Sequence, residues 1–451
     1  MSNPSTKIVT RFAPSPTGLL HSGNYRTAIY SYLFAKQHGG EFVLRIEDTD
    51  RERSKKEYEE NILESLTWLG LPHDRFFRQS DRVDRHQFFL EQLIREGKAY
   101  ISKEAAKDGS GVIKEIVRFK NPNKTVIFTD LIRGRIEINT TDLGDFVIAK
   151  NIREPLFHLA VVVDDHEMGI THIIRGEDHI SNTPRHILIY EAIGAPIPTY
   201  AHLPLVLNED RTKLSKRKGA QPITHYREQG YLPQSMLNFL ALIGWNDGTQ
   251  DEIFSLDDLL QRFQLERIHK AGAIFNPVKL NWINKEHLRR LPLETQCAQI
   301  KEHLPQSITM LPTYREEFLL RLTPILIDHI THFGEIETMA KNGEIAYFFV
   351  QPEYPKEKLF WKDERDTAKL IERLTKVEEL LSNLDAENFT QEVIKGALWD
   401  YAGEEGRGQV LWPARVALSG KDKSPDPFQL AALLGKEETL LRIRRAITHH
   451  A

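Results

Sequence analysis

Two short stretches of the chain carry residue types that suit a polyphosphate. The first is "PTGLLHSGN", where Gly18 and Gly23 let backbone approach a phosphate closely, and His21 and Asn24 can donate hydrogen bonds to it. The second is "RTKLSKRKGA", residues 211–220, whose Arg211, Lys213, Lys216, Arg217 and Lys218 crowd into a loop closed by Gly219. Positioned ammonium groups stabilise charge that develops on a leaving pyrophosphate. Each stretch taken alone has a plainer reading. The first is then a Gly/Pro connector with Asn24 capping a helix, the second a solvated basic loop.

The elements around these stretches read as strand, loop and helix. "KIVTRF" is a short β-branched strand, and "YRTAIYSYLFAKQHGG" repeats its apolar residues at helical spacing up to Gly39 and Gly40. "EFVLRIED" and "YEENILESLTWLG" add a second strand and helix, which predicts a βαβα start on a parallel sheet. The pattern loosens into an α+β insertion with turns between short segments such as "GRIEI". It then returns with the strand "GITHIIRGED", a helix opening at Thr183 and Pro184, and the strand "AHLPLVLN". The C-terminal part is helical, with Ser255 and Asp258 at capping-box spacing and Pro413 arguing against a central strand in "VLWPARVALSG".

Length and composition set outer bounds. A chain of 451 residues with 40% hydrophobic and 27% charged residues reads as a folded, multi-domain protein. One cysteine, Cys297, excludes an intrachain disulfide and a thiolate zinc cluster. A net charge of −4 means that any RNA contact comes from local basic patches. No run of about 18 apolar residues and no signal-peptide pattern is seen, which leads to an expected cytoplasmic location with no membrane contact.

Together the two stretches say more than either alone. "HSGN" resembles the H-I-G-H signature and "KLSKR" the K-M-S-K-S signature of class I aminoacyl-tRNA synthetases, in the right order. "RFAPSPTGLLHSGN", "LRIEDTDRERS", "IIRGEDHISNTPRH", "KLSKRKG", "PARVALSG" and "ALLGKEETLLRI" resemble the glutamyl-tRNA synthetase family across nearly the whole chain. The resemblance implies a Rossmann-type α/β catalytic domain over 1–85 and 156–208 and an acceptor-end-binding α+β insertion over 86–155. A stem-contact domain over 209–303 and an all-helical anticodon-binding region over 304–451 would follow.

The implied reaction is ATP-dependent ligation of L-glutamate to tRNA(Glu) through a glutamyl adenylate. Both steps are in-line displacements without a covalent enzyme intermediate. By the same resemblance His21, Asn24, Lys213 and Lys216 are the catalytic residues. Gly18, Gly23, Val206 and Ser215 join them around ATP, with Mg2+ sharing the phosphate charge and no protein zinc site. Arg11, Ser15, Glu47, Phe157 and Arg175 are expected to bind glutamate, and a salt bridge from Arg11 or Arg175 to Glu47, Asp48 or Glu177 is the structural alternative. Ser22 is expected to be a small helix-start residue without a chemical role. The family commonly has Tyr and Asn where this chain has Phe157 and Val161. That departure leaves room for a paralogue with an altered pocket or decayed activity, and tRNA(Gln) is an alternative partner. Arg415, Arg442, Arg444 and Arg445 are candidate RNA contacts or helix-dipole partners, and the family is usually monomeric.

Overall fold

In a computed structural model that describes residues 7–105, 113–214 and 221–448, the β-branched run after Lys7 forms β1 (Val9–Phe12). It is followed by α1 (Ser22–Gln37), β2 (Glu41–Ile46), α2 (Lys56–Trp68) and β3 (Arg75–Arg78). β1, β2 and β3 pair in parallel, in that order. The expected βαβα start is present. α3 (Val83–Arg95) leads into β4 (Ala99–Ala105), β5 (Ile113–Phe119), β6 (Thr125–Asp130), β7 (Gly134–Asn139), β8 (Phe146–Asn151) and β9 (Glu154–Pro155).

β4, β5, β8 and β9 form an antiparallel sheet of their own. β6 and β7 do not join it. After α4 (Phe157–Glu167), β10 (His172–Gly176), α5 (Thr183–Ile193) and β11 (Thr199–Leu203), strand β6 pairs in parallel with β11, giving the order β10-β11-β6-β7. Thr171, just before β10, binds Val9 in both directions, its N–H reaching Val9 O at 2.9 Å and its Oγ1 accepting Val9 N–H at 2.8 Å. These bonds set β1 beside β10. The segment 86–155 is therefore shared between its own sheet and the one that holds β10 and β11.

Alternate residues of the central strands bury opposite faces, as a parallel sheet covered on both sides requires. Phe42, Leu44 and Ile174 pack in a cluster with Ile29 and Leu33 of α1, while Val43 and Ile173 pack with Leu90 of α3, Val162 of α4 and Tyr190 of α5. Pro184 opens α5 and Gly194, at φ 71°, closes it in the left-handed conformation that a β-carbon disfavours.

β12 (Val206–Leu207) and β13 (Ala273–Ile274) form a small parallel pair. Around them lie α6 (Ile223–Glu228), α7 (Pro233–Leu242), α8 (Leu256–Arg262) and α9 (Pro277–Arg290). The expected Ser255–Asp258 capping box opens α8. The chain divides into two compact units at His287. Beyond that point the described residues are helical, and "VLWPARVALSG" lies in the helix Arg407–Ser419.

Arg442 is a fixture of the second unit and not a free cation. Its buried guanidinium donates to the carbonyls of Leu418 at 2.6 Å, Tyr347 at 2.7 Å and Val350 at 3.3 Å, and its Nε meets Glu438 at 2.7 Å. Arg442→Ala is expected to destabilise this unit by about 3–5 kcal/mol, because several buried acceptors lose their donor at once. Urea unfolding followed by the far-ultraviolet helix signal would measure the loss.

Candidate functional site

The carboxyl ends of the parallel strands open into a cleft of about 410 Å³. β1 brings Arg11, the turn after β2 brings Glu47, β10 brings Arg175, and β12 brings Val206. Ser15, His21, Gly23, Asn24, Phe157 and Lys213 line the same space. Gly18 is not among the lining residues. Ser215 and Lys216 lie outside the described residues.

His21 is the N-cap of α1, with extended backbone at φ −75° and ψ 156°. Asn24, at the third helical position, accepts the His21 N–H through Oδ1 at 3.1 Å. Asn24 therefore does cap the helix, and its amide nitrogen still carries two donors for a ligand. Ser22 N–H donates to Gln221 O at 3.1 Å, and His21 forms a bridge with Pro222. At the other foot of the basic stretch, Leu214 N–H donates to Val206 O at 2.8 Å. Leu214 also packs over Gly23, where a β-carbon would stand only 3.2 Å from it. Both feet of the basic stretch are thus bound to the elements that carry His21 and Val206.

Lys213 reaches back over the cleft to Asp178, Nζ to Oδ2 at 2.9 Å. Burial pushes the Asp178 carboxyl up, but the Lys213 bond and the neighbouring charges outweigh it and hold the group below its ordinary range. The contact is half exposed, so an entering polyanion displaces it at small cost.

The opposite end of the cleft holds two arginines in different circumstances. Arg11 Nε lies 3.2 Å from Asp165 Oδ1, and the same carboxylate oxygen takes Arg45 Nη1 at 2.6 Å. Arg45 Nη2 continues to Glu47 Oε1 at 2.9 Å. Arg11, Arg45, Asp165 and Glu47 form a buried network whose formal charges balance. Burial pushes the Glu47 carboxyl up against the pull of Arg45.

Arg175 is just as buried and has no such partner. Its Nη2 donates to Thr183 Oγ1 at 2.7 Å and to His179 O at 3.4 Å, its Nε faces His202 Nε2 at 3.1 Å, and its Nη1 faces His186 Nδ1 at 3.2 Å. Tyr200 lies under the guanidinium, 5.3 Å from ring centre to carbon. Among the described residues no carboxylate comes within salt-bridge distance of it. None of the three alternative partners takes it: Glu47 binds Arg45, Asp48 accepts the Ser80 N–H and hydroxyl, and Glu177 binds Arg133 and the Leu205 N–H. Burial pushes the guanidinium down to about 10, which still leaves it charged at neutral pH. A buried cation without a counter-charge is costly, and an anionic ligand in the cleft relieves that cost.

Over residues 7–108 and 102–282 the chain matches the catalytic domain described as class I tRNA synthetases (E and Q). Over 296–447 it matches an anticodon-binding domain. The chain belongs to this synthetase family. Curated relatives include the glutamate-tRNA ligases of Carboxydothermus hydrogenoformans, 39% identical over 97% of this chain and 99% of its own, and of Aquifex aeolicus, 41% identical over 98% and 99%. The crystal structure of a glutamate tRNA ligase from Elizabethkingia meningosepticum, in complex with its amino acid, superposes with a TM-score of 0.86. It is 33% identical, covering 99% of this chain and 100% of that one.

Within the synthetase frame, several site residues went unseen in the sequence. Asp165 and Arg45 hold Arg11 and Glu47, and both carried a signal: a charged residue inside an otherwise apolar run, "LAVVVDD" and "FVLRI". His179, Thr183 and His186 stand in the motif "IIRGEDHISNTPRH", but nothing there marks them as partners of Arg175, and His202, which completes the ring around it, gave no local signal. His158 and His179 are pushed down to about 4, by burial first and then by neighbouring cations that include Arg175. The unfolded chain, with histidines near 6.5, therefore binds more protons between about pH 6.5 and 4, and stability falls as pH drops through that window. The urea midpoint of the intact protein is expected to be lower at pH 5 than at pH 7.5; equal midpoints contradict this.

The helical unit has a cleft of about 770 Å³. Arg415, Lys358, Lys421 and Lys423 line it beside Tyr347 and Phe348. Of the other arginines considered for RNA, Arg444 is paired with Glu378 and Arg445 donates to Gln351 Oε1. Arg442 is internal, as described above.

Proposed function

We propose that this chain is a glutamate-tRNA ligase: it activates L-glutamate with ATP to glutamyl adenylate, releases diphosphate, and transfers glutamate to tRNA(Glu). The observation that carries the amino-acid choice is Arg175, a buried guanidinium satisfied by neutral acceptors and, among the described residues, without a carboxylate partner. The γ-carboxylate of glutamate supplies the missing charge, whereas the neutral amide of glutamine leaves it missing. Arg11, Ser15 and Glu47 take the rest of the amino acid, and Phe157 shapes the wall of the pocket.

ATP lies along the α1 end of the cleft, with His21 and Asn24 at its α-phosphate and Lys213, released from Asp178, at the β and γ phosphates; the resemblance to the family assigns Lys216 the same part. Gly23 and Val206 line that side, and the resemblance to the family assigns Gly18 and Ser215 to ATP as well. Mg2+ arrives with the nucleotide and neutralises phosphate charge. Among the described residues no cluster of three or more His, Cys, Asp or Glu could cage a metal. The glutamate carboxylate attacks the α-phosphate in line, and the terminal ribose of tRNA then attacks the adenylate. The enzyme's part is positioning and charge stabilisation.

The basic, aromatic-lined cleft around Arg415 is the RNA-facing surface of the helical unit. No described helix is long and apolar enough to cross a membrane, and the enzyme acts as a cytoplasmic monomer in this reading. The test is charging of purified tRNA(Glu) and tRNA(Gln) with labelled glutamate. Glutamylation of tRNA(Glu) is expected. Labelling of neither tRNA overturns the assignment, and labelling of both makes the enzyme non-discriminating.

A further inference from the structure

Neighbouring parallel strands set three side chains in one row beneath the cleft. Arg175 on β10 stands in register with His202 on β11, and Asp130 closes β6, whose register partner on β11 is Tyr200. The Asp130 carboxylate accepts backbone N–H groups from Arg133 at 2.8 Å, Ile132 at 3.0 Å and His202 at 3.0 Å. It also faces His202 Nδ1 at 2.6 Å. A carboxylate ringed by donors only accepts, so the imidazole proton sits on Nδ1. That leaves His202 Nε2 as an unprotonated acceptor, facing both Arg175 Nε–H and Thr183 Oγ1 at 3.1 Å.

We propose that His202, its tautomer fixed by Asp130, is a positioning residue for amino-acid selection, orienting the Arg175 guanidinium without neutralising it. This rests on the reading of Arg175 as the group that meets the glutamate side chain. The chemistry explains why a histidine and not an acid occupies this place. A carboxylate at position 202 would pair with Arg175 and compete with the substrate. A neutral acceptor satisfies the Nε–H and leaves the full positive charge for the ligand. His186 serves Nη1 in the same way: its Nδ1 accepts, and its Nε2 faces His158 Nδ1 at 3.1 Å. Burial and the Arg175 charge push both His186 and His202 down, so each stays neutral beside the guanidinium.

The two nitrogens of His202 can be tested separately with amides. His202→Asn keeps a polar group facing Asp130 and withdraws the acceptor from Arg175, while His202→Gln places Oε1 where Nε2 stood. In glutamate-dependent pyrophosphate exchange with the full chain, H202N is expected to raise the glutamate KM about tenfold or more, and H202Q by no more than about threefold. The ATP KM and kcat of both variants should stay within about twofold. Equal glutamate KM values for the two variants, or a loss seen only in melting temperature, overturn the proposal. Should H202N fail to fold, Thr183→Val carries the test, since it removes the nearer of the two acceptors of Nη2 and the hydroxyl beside His202 Nε2 with little change of shape. A raised glutamate KM supports the proposal and an unchanged one overturns it. Arg175→Gln is run alongside. If it loses glutamate use while H202N does not, only the positioning role falls; if it leaves glutamate use intact, the reading of Arg175 falls and the proposal with it.

Discussion

Arg175→Gln is expected to lower kcat/KM for glutamate by roughly a thousandfold, the kinetic equivalent of about 4 kcal/mol, with little net change in stability. The two effects have one cause. Arg175 is a buried charge that no described carboxylate neutralises, so removing it relieves a desolvation cost that offsets the hydrogen bonds lost by Thr183, His186 and His202. The same removal deprives the substrate carboxylate of its partner. Pyrophosphate exchange at varied glutamate, paired with a thermal melt, measures both. A variant that loses stability along with activity would show that Arg175 braces the fold, which contradicts the account.

Asp165→Ala is expected to act in the opposite sense, costing about 3–5 kcal/mol of folding stability and taking activity with it. Asp165 is fully buried and is shared by Arg11 and Arg45. Without it, Arg45 keeps Glu47 and a weak 3.7 Å contact with the Met168 sulfur, and Arg11 keeps a 3.5 Å contact with the Ile174 carbonyl. Two guanidinium groups would then sit in a low-dielectric interior with one carboxylate between them. Asp165→Asn should fall between the two, since the amide still offers one acceptor. Denaturant unfolding of the three proteins at pH 7.5 is the measurement, and equal midpoints for wild type and D165A would contradict the assignment.

These paired predictions also mark what was legible before the fold was known. The loop around His21 and the KLSKR stretch could be read because each is local: glycines, a helix start and a run of cations lie within a few residues. Their order along the chain then pointed to the family. The βαβα start followed from periodicity alone. What stayed hidden depends on the lateral order of strands. Nothing near Arg175 in the sequence says that His202 will stand beside it, or that Asp130 will end the next strand over. Even the membership of β6 and β7 in the catalytic sheet is set by pairing with β11, which no window of sequence displays. Arg45 and Asp165 lie between these cases. A charge within an apolar strand or helix signals burial and a partner, but not which partner. Lys213 shows the converse, a cation that lines the cleft and whose contact with Asp178 had no trace in spacing.

The central claim is that an unneutralised buried arginine selects the amino acid. The most direct test is ATP-pyrophosphate exchange with glutamate and with glutamine, each with and without tRNA(Glu). The account predicts exchange with glutamate and at least about a thousandfold less with glutamine in kcat/KM, because the glutamine amide leaves the Arg175 charge unmatched. Comparable exchange with both amino acids, or none with glutamate under either condition, would contradict it.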